Sequence, residues 1–175
     1  MSAHELTQKD MIAELCPACG LCCSGVLFGD VELQNGDDAA GLAALGMQLH
    51  PKGRKQCFDQ PCACFDGKLC RIYDSRPTRC RDFECRLLER AKNGQLRLNY
   101  ALKAIAQARS SADVVRKLVR ELGQNVESVP LNRRYAAAMS QPMDLSTNDG
   151  TTRRRSALML AVHRLTKILE RDFLV

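Results

Sequence analysis

The stretch Cys16-Pro-Ala-Cys19-Gly-Leu-Cys22-Cys23 places four thiols in eight positions and ends on an adjacent pair. Six more cysteines follow, Cys57, Cys62, Cys64, Cys70, Cys80 and Cys85, and none lies beyond Cys85. A chain of this kind pairs its sulfurs as disulfides, uses them in redox exchange or binds metal with them. The opening MSAHELTQKDMIAEL has no basic stretch followed by an apolar one, so no secretory signal is expected. No apolar run approaches the roughly 20 residues of a membrane span. The expectation is a cytoplasmic protein. In a reducing compartment a disulfide framework is disfavoured, which puts metal ligation ahead of redox dithiols and of inert buried thiols.

The spacing speaks to the kind of metal. In Cys16-x-x-Cys19-x-x-Cys22 the two-residue gaps let a tight loop wrap one soft centre while its backbone N–H groups point at sulfur. The bacterial ferredoxin run opens in this way and receives a fourth cysteine from elsewhere. Zinc knuckles use C-x-x-C equally well. Side chains of adjacent residues diverge, so the Cys22–Cys23 doublet points to two centres or one polynuclear cluster rather than a single four-thiolate ion. Thiolate-only sites suit both zinc and iron–sulfur; the three-thiol run and the doublet place iron–sulfur ahead.

The rest of the chain reads as mainly α. Hydrophobic residues make up 45%, but Trp is absent and aromatics are 5%, which implies an aliphatic core of Ala and Leu. A leader helix is expected over Thr7 to Leu15, stopped by Pro17. VLFGDVEL (residues 26–33) reads as a brief extended stretch, with Asp37 or Asp38 capping a short helix that ends near Gly46. Residues 48–69, with Pro51, Gly53, Pro61 and Gly67, read as loop tied down by cysteines. Pro77 suits a first helical turn, and Arg79 to Lys92 is expected to run as one helix closed by Asn93 and Gly94. On that helix Cys80 and Cys85 would stand about 140° apart at 3.6 residues per turn, facing different centres. Leu98, Ala101, Leu102 and Ile105 form one amphipathic segment. Val115, Leu118, Val119 and Leu122 form a second, with Ser111 or Asp113 as its cap. Residues 140–150 read as a turn-rich linker before a final helix marked by Leu158, Ala161, Val162, Leu165 and Leu169.

These residues together carry a resemblance. The first block, with Gln60-Pro61-Cys62 and then Cys70-x-Ile72-Tyr73-x-x-Arg76-Pro77-x-x-Cys80-Arg81-x-Phe83-x-Cys85, resembles the YkgJ-type cysteine-cluster family, the CxxCxxCC zinc- or iron-chelating domain. The likeness runs over roughly residues 12–90. It implies metal binding through Cys16, Cys19, Cys22, Cys23, Cys62, Cys70, Cys80 and Cys85, with zinc or an iron–sulfur cluster as the cofactor. Cys57 and Cys64 depart from the family pattern, and the choice of ligand between Cys62 and Cys64 stays open at this point. Flagellin lysine methylases contain a similar cysteine constellation, associated with an iron–sulfur cluster, and methylate protein lysines from S-adenosylmethionine. This chain is shorter and has no separate methyltransferase fingerprint, so a cluster-dependent protein-modifying or redox enzyme is the alternative reading. The leading one is a metal-binding protein whose centre is structural or carries electrons.

Charge divides the chain near Cys85. Residues 1–85 carry nine Lys and Arg against twelve Asp and Glu, whereas residues 86–175 carry seventeen against eight. The expected organisation is a small, irregular, metal-stapled cysteine module over 1–95 and a basic helical extension over 96–175. Eight thiolates are only half neutralised by two divalent ions. Arg71, Arg76, Arg79, Arg81 and Arg86 stand near enough in sequence to offset the remainder, against the plainer reading of a solvated helix face. Tyr73 and Phe83 read as packing residues. On the final helix Arg153, Arg154 and Arg155, then Arg164, Lys167 and Arg171, form a basic surface for an acidic protein or nucleic acid, with a solvated face as the alternative. His4, His50 and His163 read as surface or packed residues. No catalytic triad order, phosphate loop or dinucleotide fingerprint is present.

Overall fold

Between Arg97 and Leu122 there is no glycine or proline, and small or branched apolar residues recur three and four apart without a break. The chain uses that whole stretch as one helix. The structure, a computed structural model, describes residues 15–141 and 150–174. In order its elements are α1 (residues 15–19), β1 (Asp30–Glu32), α2 (Ala39–Ala44), β2 (Leu49–Lys52), β3 (Lys55–Asp59), a 3-10 turn (Tyr73–Ser75), α3 (Thr78–Asp82), α4 (Arg86–Lys92), α5 (Leu98–Glu121), α6 (Leu131–Ser140) and α7 (Thr151–Asp172). The protein is mainly α, as its composition implies. No helix among the described residues is long and apolar enough to cross a membrane. The expected leader over Thr7 to Leu15 lies outside the described residues except at Leu15, and so does most of the 140–150 linker.

The two amphipathic segments expected around residues 98–105 and 115–122 are a single helix, because Ala101, Ala104, Ile105, Ala108, Ala112, Val115 and Val119 line one buried stripe. Asp113 caps nothing; its carboxylate accepts from Arg116 at 2.8 Å on the exposed side. α7 lies along α5 and buries Leu158, Ala161, Leu165 and Leu169 against it. The small side chains of α5 let the two backbones come close, and this pair is the centre of the larger core. That core also takes Leu15, Leu21, Leu87 and Ala91, so it draws on both the cysteine-bearing and the basic stretch.

A second, smaller core sits under the sheet. β3 is the middle strand, antiparallel to β1 and β2, with Val31 and Leu49 both opposite Phe58. These three side chains share the face that meets Leu33, Leu42, Met47 and Cys64. Residues 49–59 were expected as loop. They pair as a hairpin because Phe58 is fully buried, and Pro51 is tolerated on β2, an edge strand of the sheet.

The expected helix from Arg79 to Lys92 is two helices. The chain leaves the helical path at Phe83 (φ −73°, ψ 122°), whose ring meets Phe28 edge-on at 4.8 Å, and starts again after an extended Cys85. The 140° separation of Cys80 and Cys85 therefore does not apply. The carboxylates of Asp37 and Asp38 each cap a helix, but not the same one. Asp38 accepts from the Gly41 N–H at 2.9 Å, whereas Asp37 reaches the N–H and hydroxyl of Thr78, both at 2.8 Å, at the start of α3. Burial works against the Asp37 charge, but bonds from Gln34 and Thr78 hold its carboxyl below the usual range.

Asp37→Ala should cost about 1–2 kcal/mol in urea unfolding, more than Asp38→Ala, whose bond is exposed. The Asp37 contribution is present above the unfolded carboxyl range near pH 4 and is lost as pH falls through its lower folded value. Equal effects of the two substitutions would show that Asp37 caps nothing of consequence.

Candidate metal centre

Gly20 turns the first cysteine block on itself. Its φ of 62° belongs to the left-handed region that favours glycine, and its N–H returns to the Cys16 carbonyl at 3.1 Å while its own carbonyl accepts from Ser24 at 2.9 Å. A Cβ at Gly20 would stand 2.6 Å from Cζ of Phe65, so the ring of Phe65 from the second block lies directly on this turn. From the other side α5 grips the loop by its carbonyls: Arg109 donates to Ala18 O at 2.7 Å and Arg116 to Ser24 O at 3.3 Å.

The second block is laced to the first by main-chain bonds. The Cys62 N–H donates to the Cys23 carbonyl at 2.9 Å, and Gly25 lies against the cis Gln60–Pro61 peptide. Cys70 is held beside this segment by its bridge to Phe65 and by the bond from Arg71 N–H to Cys64 O at 2.8 Å. Cys80 lies within α3, and Cys85 stands at the N-terminus of α4.

All ten cysteines are free, and burial is the largest influence on each thiol whose acidity moves. It pushes Cys19 and Cys23 up to about 12, Cys62 and Cys80 up to about 11, and Cys16, Cys22 and Cys85 upward as well. The further upward push comes from neighbouring sulfurs and identifies them. Cys19 feels Cys85 and Cys16, and Cys22 feels Cys19, Cys85, Cys23 and Cys16. Cys23 feels Cys62, Cys70 and Cys80, and Cys80 feels Cys62 and Cys70. Cysteines of the two blocks thus influence one another.

Cys57 and Cys64 stand apart in their packing. Cys64 is fully buried in the smaller core with Phe58 and Met47, although it is close enough to Cys62 to influence it. Cys57, also fully buried, lies on the other face of β3 among the ion pairs Lys52–Asp30 and Lys55–Glu32 and the hydrogen bond between His50 and Asp59. Among the described residues no group of three or more His, Cys, Asp or Glu side chains forms a ready-made metal site. The donors nonetheless suit a soft ion: they are all sulfur, and of the eight only Cys16 is exposed while the others are half-buried. Binding a cation would favour the thiolate form against the burial that raises these pKa values, and would release the thiol protons.

A family model described as "Putative zinc- or iron-chelating domain", CxxCxxCC, matches residues 15–101. The chain belongs to the CxxCxxCC family. No curated protein and no solved structure matches it. The matched stretch of this CxxCxxCC protein takes in every cysteine and ends within α5, the helix whose Arg109 and Arg116 hold the first block.

The arginines near the sulfurs are mostly committed elsewhere. Arg71 bonds Ala63 O, Arg79 pairs with Glu32 at 3.7 Å, Arg81 donates to Thr78 and Arg86 to Glu170 O. Arg76 is the one of the five that lowers the acidity threshold of several thiols, acting on Cys16, Cys23 and Cys80. Lys92 and Arg109 do the same for Cys16 and Cys19; sequence reading missed them because the contacts come from α4 and α5, far along the chain. Tyr73 is half-exposed and carries the Arg76 guanidinium 3.7 Å above its ring. On α7, Arg155 is buried and donates to Gln141 O, Lys167 pairs with Glu170, and Arg171 pairs with Asp172; Arg164 lines a shallow groove with Val114 and Leu160.

Unfolded thiols ionise near pH 8.5, below the folded values. Between about pH 8.5 and 11 the unfolded chain therefore binds fewer protons, and stability falls as pH rises. The urea midpoint of the metal-free protein should decline steadily across that window, while the metal-loaded protein, its thiols already deprotonated, holds its midpoint. A metal-free protein that gains stability above pH 9 would contradict the burial of these thiols.

Proposed function

We propose that this chain is a metal-binding protein whose cysteine module carries thiolate-held iron–sulfur, ahead of zinc, with a centre that staples the module together and can carry electrons. The observation that supports this reading is that the two cysteine blocks, residues 16–23 and 62–85, are tied together by main-chain bonds and carry no disulfide. Cys16, Cys19, Cys22, Cys23, Cys62, Cys70, Cys80 and Cys85 are the proposed ligands. A redox dithiol needs a thiol of lowered pKa that solvent can reach. The thiols here are shifted the opposite way, which favours ligation.

The preference for iron–sulfur rests on the run Cys16-x-x-Cys19-x-x-Cys22 receiving Cys85 from a distant part of the chain, as a ferredoxin run receives its remote thiol. A structural role follows from the connectivity. The loops holding residues 20–29 and 60–72 contain little regular structure, and sulfurs at their ends are what a metal would hold in place. The protein-modifying reading and the acidic-partner reading draw less support, since two of the three stripe cations of α7 are already paired within the chain.

Purification without oxygen, followed by metal and sulfide analysis and visible absorption, tests the proposal. A brown protein with iron and acid-labile sulfide is expected. A colourless protein with stoichiometric zinc would overturn the iron–sulfur preference, and absence of every metal would overturn metal binding itself. Removal of the metal by a chelator should lower the thermal midpoint and loosen residues 16–85 before α5 and α7, as read by hydrogen exchange.

A further inference from the structure

We infer that the module holds two separate four-thiolate sites, one made by Cys16, Cys19, Cys22 and Cys85 and the other by Cys23, Cys62, Cys70 and Cys80, divided at the peptide between Cys22 and Cys23. This rests on the metal-binding reading above and goes further, to the number of centres and their ligands.

The packing draws the line first. Cys19 and Cys85 lie against the larger core, together with Leu21 and the start of α4, while Cys62 and Cys80 lie against the smaller core under the sheet. Main-chain bonds follow the same division. Arg109 fixes Ala18, between Cys16 and Cys19, to α5, whereas the Cys62 N–H fixes Cys23 to the second block. The bond from Arg71 to Cys64 O and the Phe65–Cys70 bridge add Cys70 to that side.

The spacing agrees with that division: Cys16, Cys19 and Cys22 recur at two-residue gaps, and Cys23 falls outside that run. A doublet is the shortest device for this: adjacent side chains point apart, so one peptide hands consecutive thiols to different centres.

Cadmium-113 serves as the probe on the full-length, metal-free chain, read by its NMR spectrum and by stoichiometry. Two resonances in the all-thiolate range, without splitting between the two cadmium ions, are expected. Splitting would show a bridging thiolate and overturn the separation, leaving metal binding intact. Cys85→Ser should alter one resonance and spare the other, and Cys80→Ser should do the converse; loss of both signals in either folded variant would overturn the assignment. Failure of the unaltered protein to take up cadmium would instead remove the metal-binding reading, and the two-site inference with it.

Discussion

Burying thiols raises the free energy of their charged form, and gathering them adds repulsion between those charges; both effects act on the same side chains here. A protein can tolerate this while the sulfurs stay protonated, and it can use it when a cation arrives. The rest of the molecule is arranged around that fact. The loops carrying the sulfurs have little regular structure of their own, so they lean on rigid neighbours: α5 on one side, through Arg109 and Arg116, and the small sheet on the other. Phe65, seated on Gly20, closes one loop over the other.

The two cores have different characters for a related reason. The larger is a helix–helix interface in which alanines on α5 permit close approach of α7, and it needs no metal to account for its burial. The smaller is a thin layer beneath three short strands, where Phe58 and a few aliphatic side chains are joined by Cys64. A layer of that size contributes modestly, since fully burying one side chain of the Phe or Leu class is worth about 1.5–3 kcal/mol. The sulfurs lie at the border of both cores, where a bound ion would add cohesion that the sheet side cannot supply by packing alone.

Much of the helical pattern was legible in sequence. The stripe on α5, the cap at Asp38, the stop at Asn93–Gly94 and the final helix all follow from local periodicity and capping. The departures are instructive. The break at Phe83 depends on Phe28, and the hairpin of β2 and β3 depends on a buried Phe58; neither partner lies within the local window that periodicity samples. Asp37 acts on a helix that starts some forty residues later, at Thr78, which no capping rule applied along the chain would find. Of the arginines chosen for their closeness in sequence, most bond elsewhere, while Lys92 and Arg109 approach the sulfurs from helices.

By itself, then, the order of residues determined the donor set and its chemistry: a spacing of thiols suited to a soft metal, in a chain whose aliphatic composition makes helices. That information is local, written in residue type and in short intervals. Which sulfur neighbours which was decided only by the tertiary structure. Cys19 and Cys85, far apart along the chain, pack against the same core, while Cys23, next to Cys22, is bonded through its carbonyl to Cys62 of the second block. The reason is geometric: adjacent side chains must diverge, and distant ones meet only where packed helices and a paired sheet carry them to the same place.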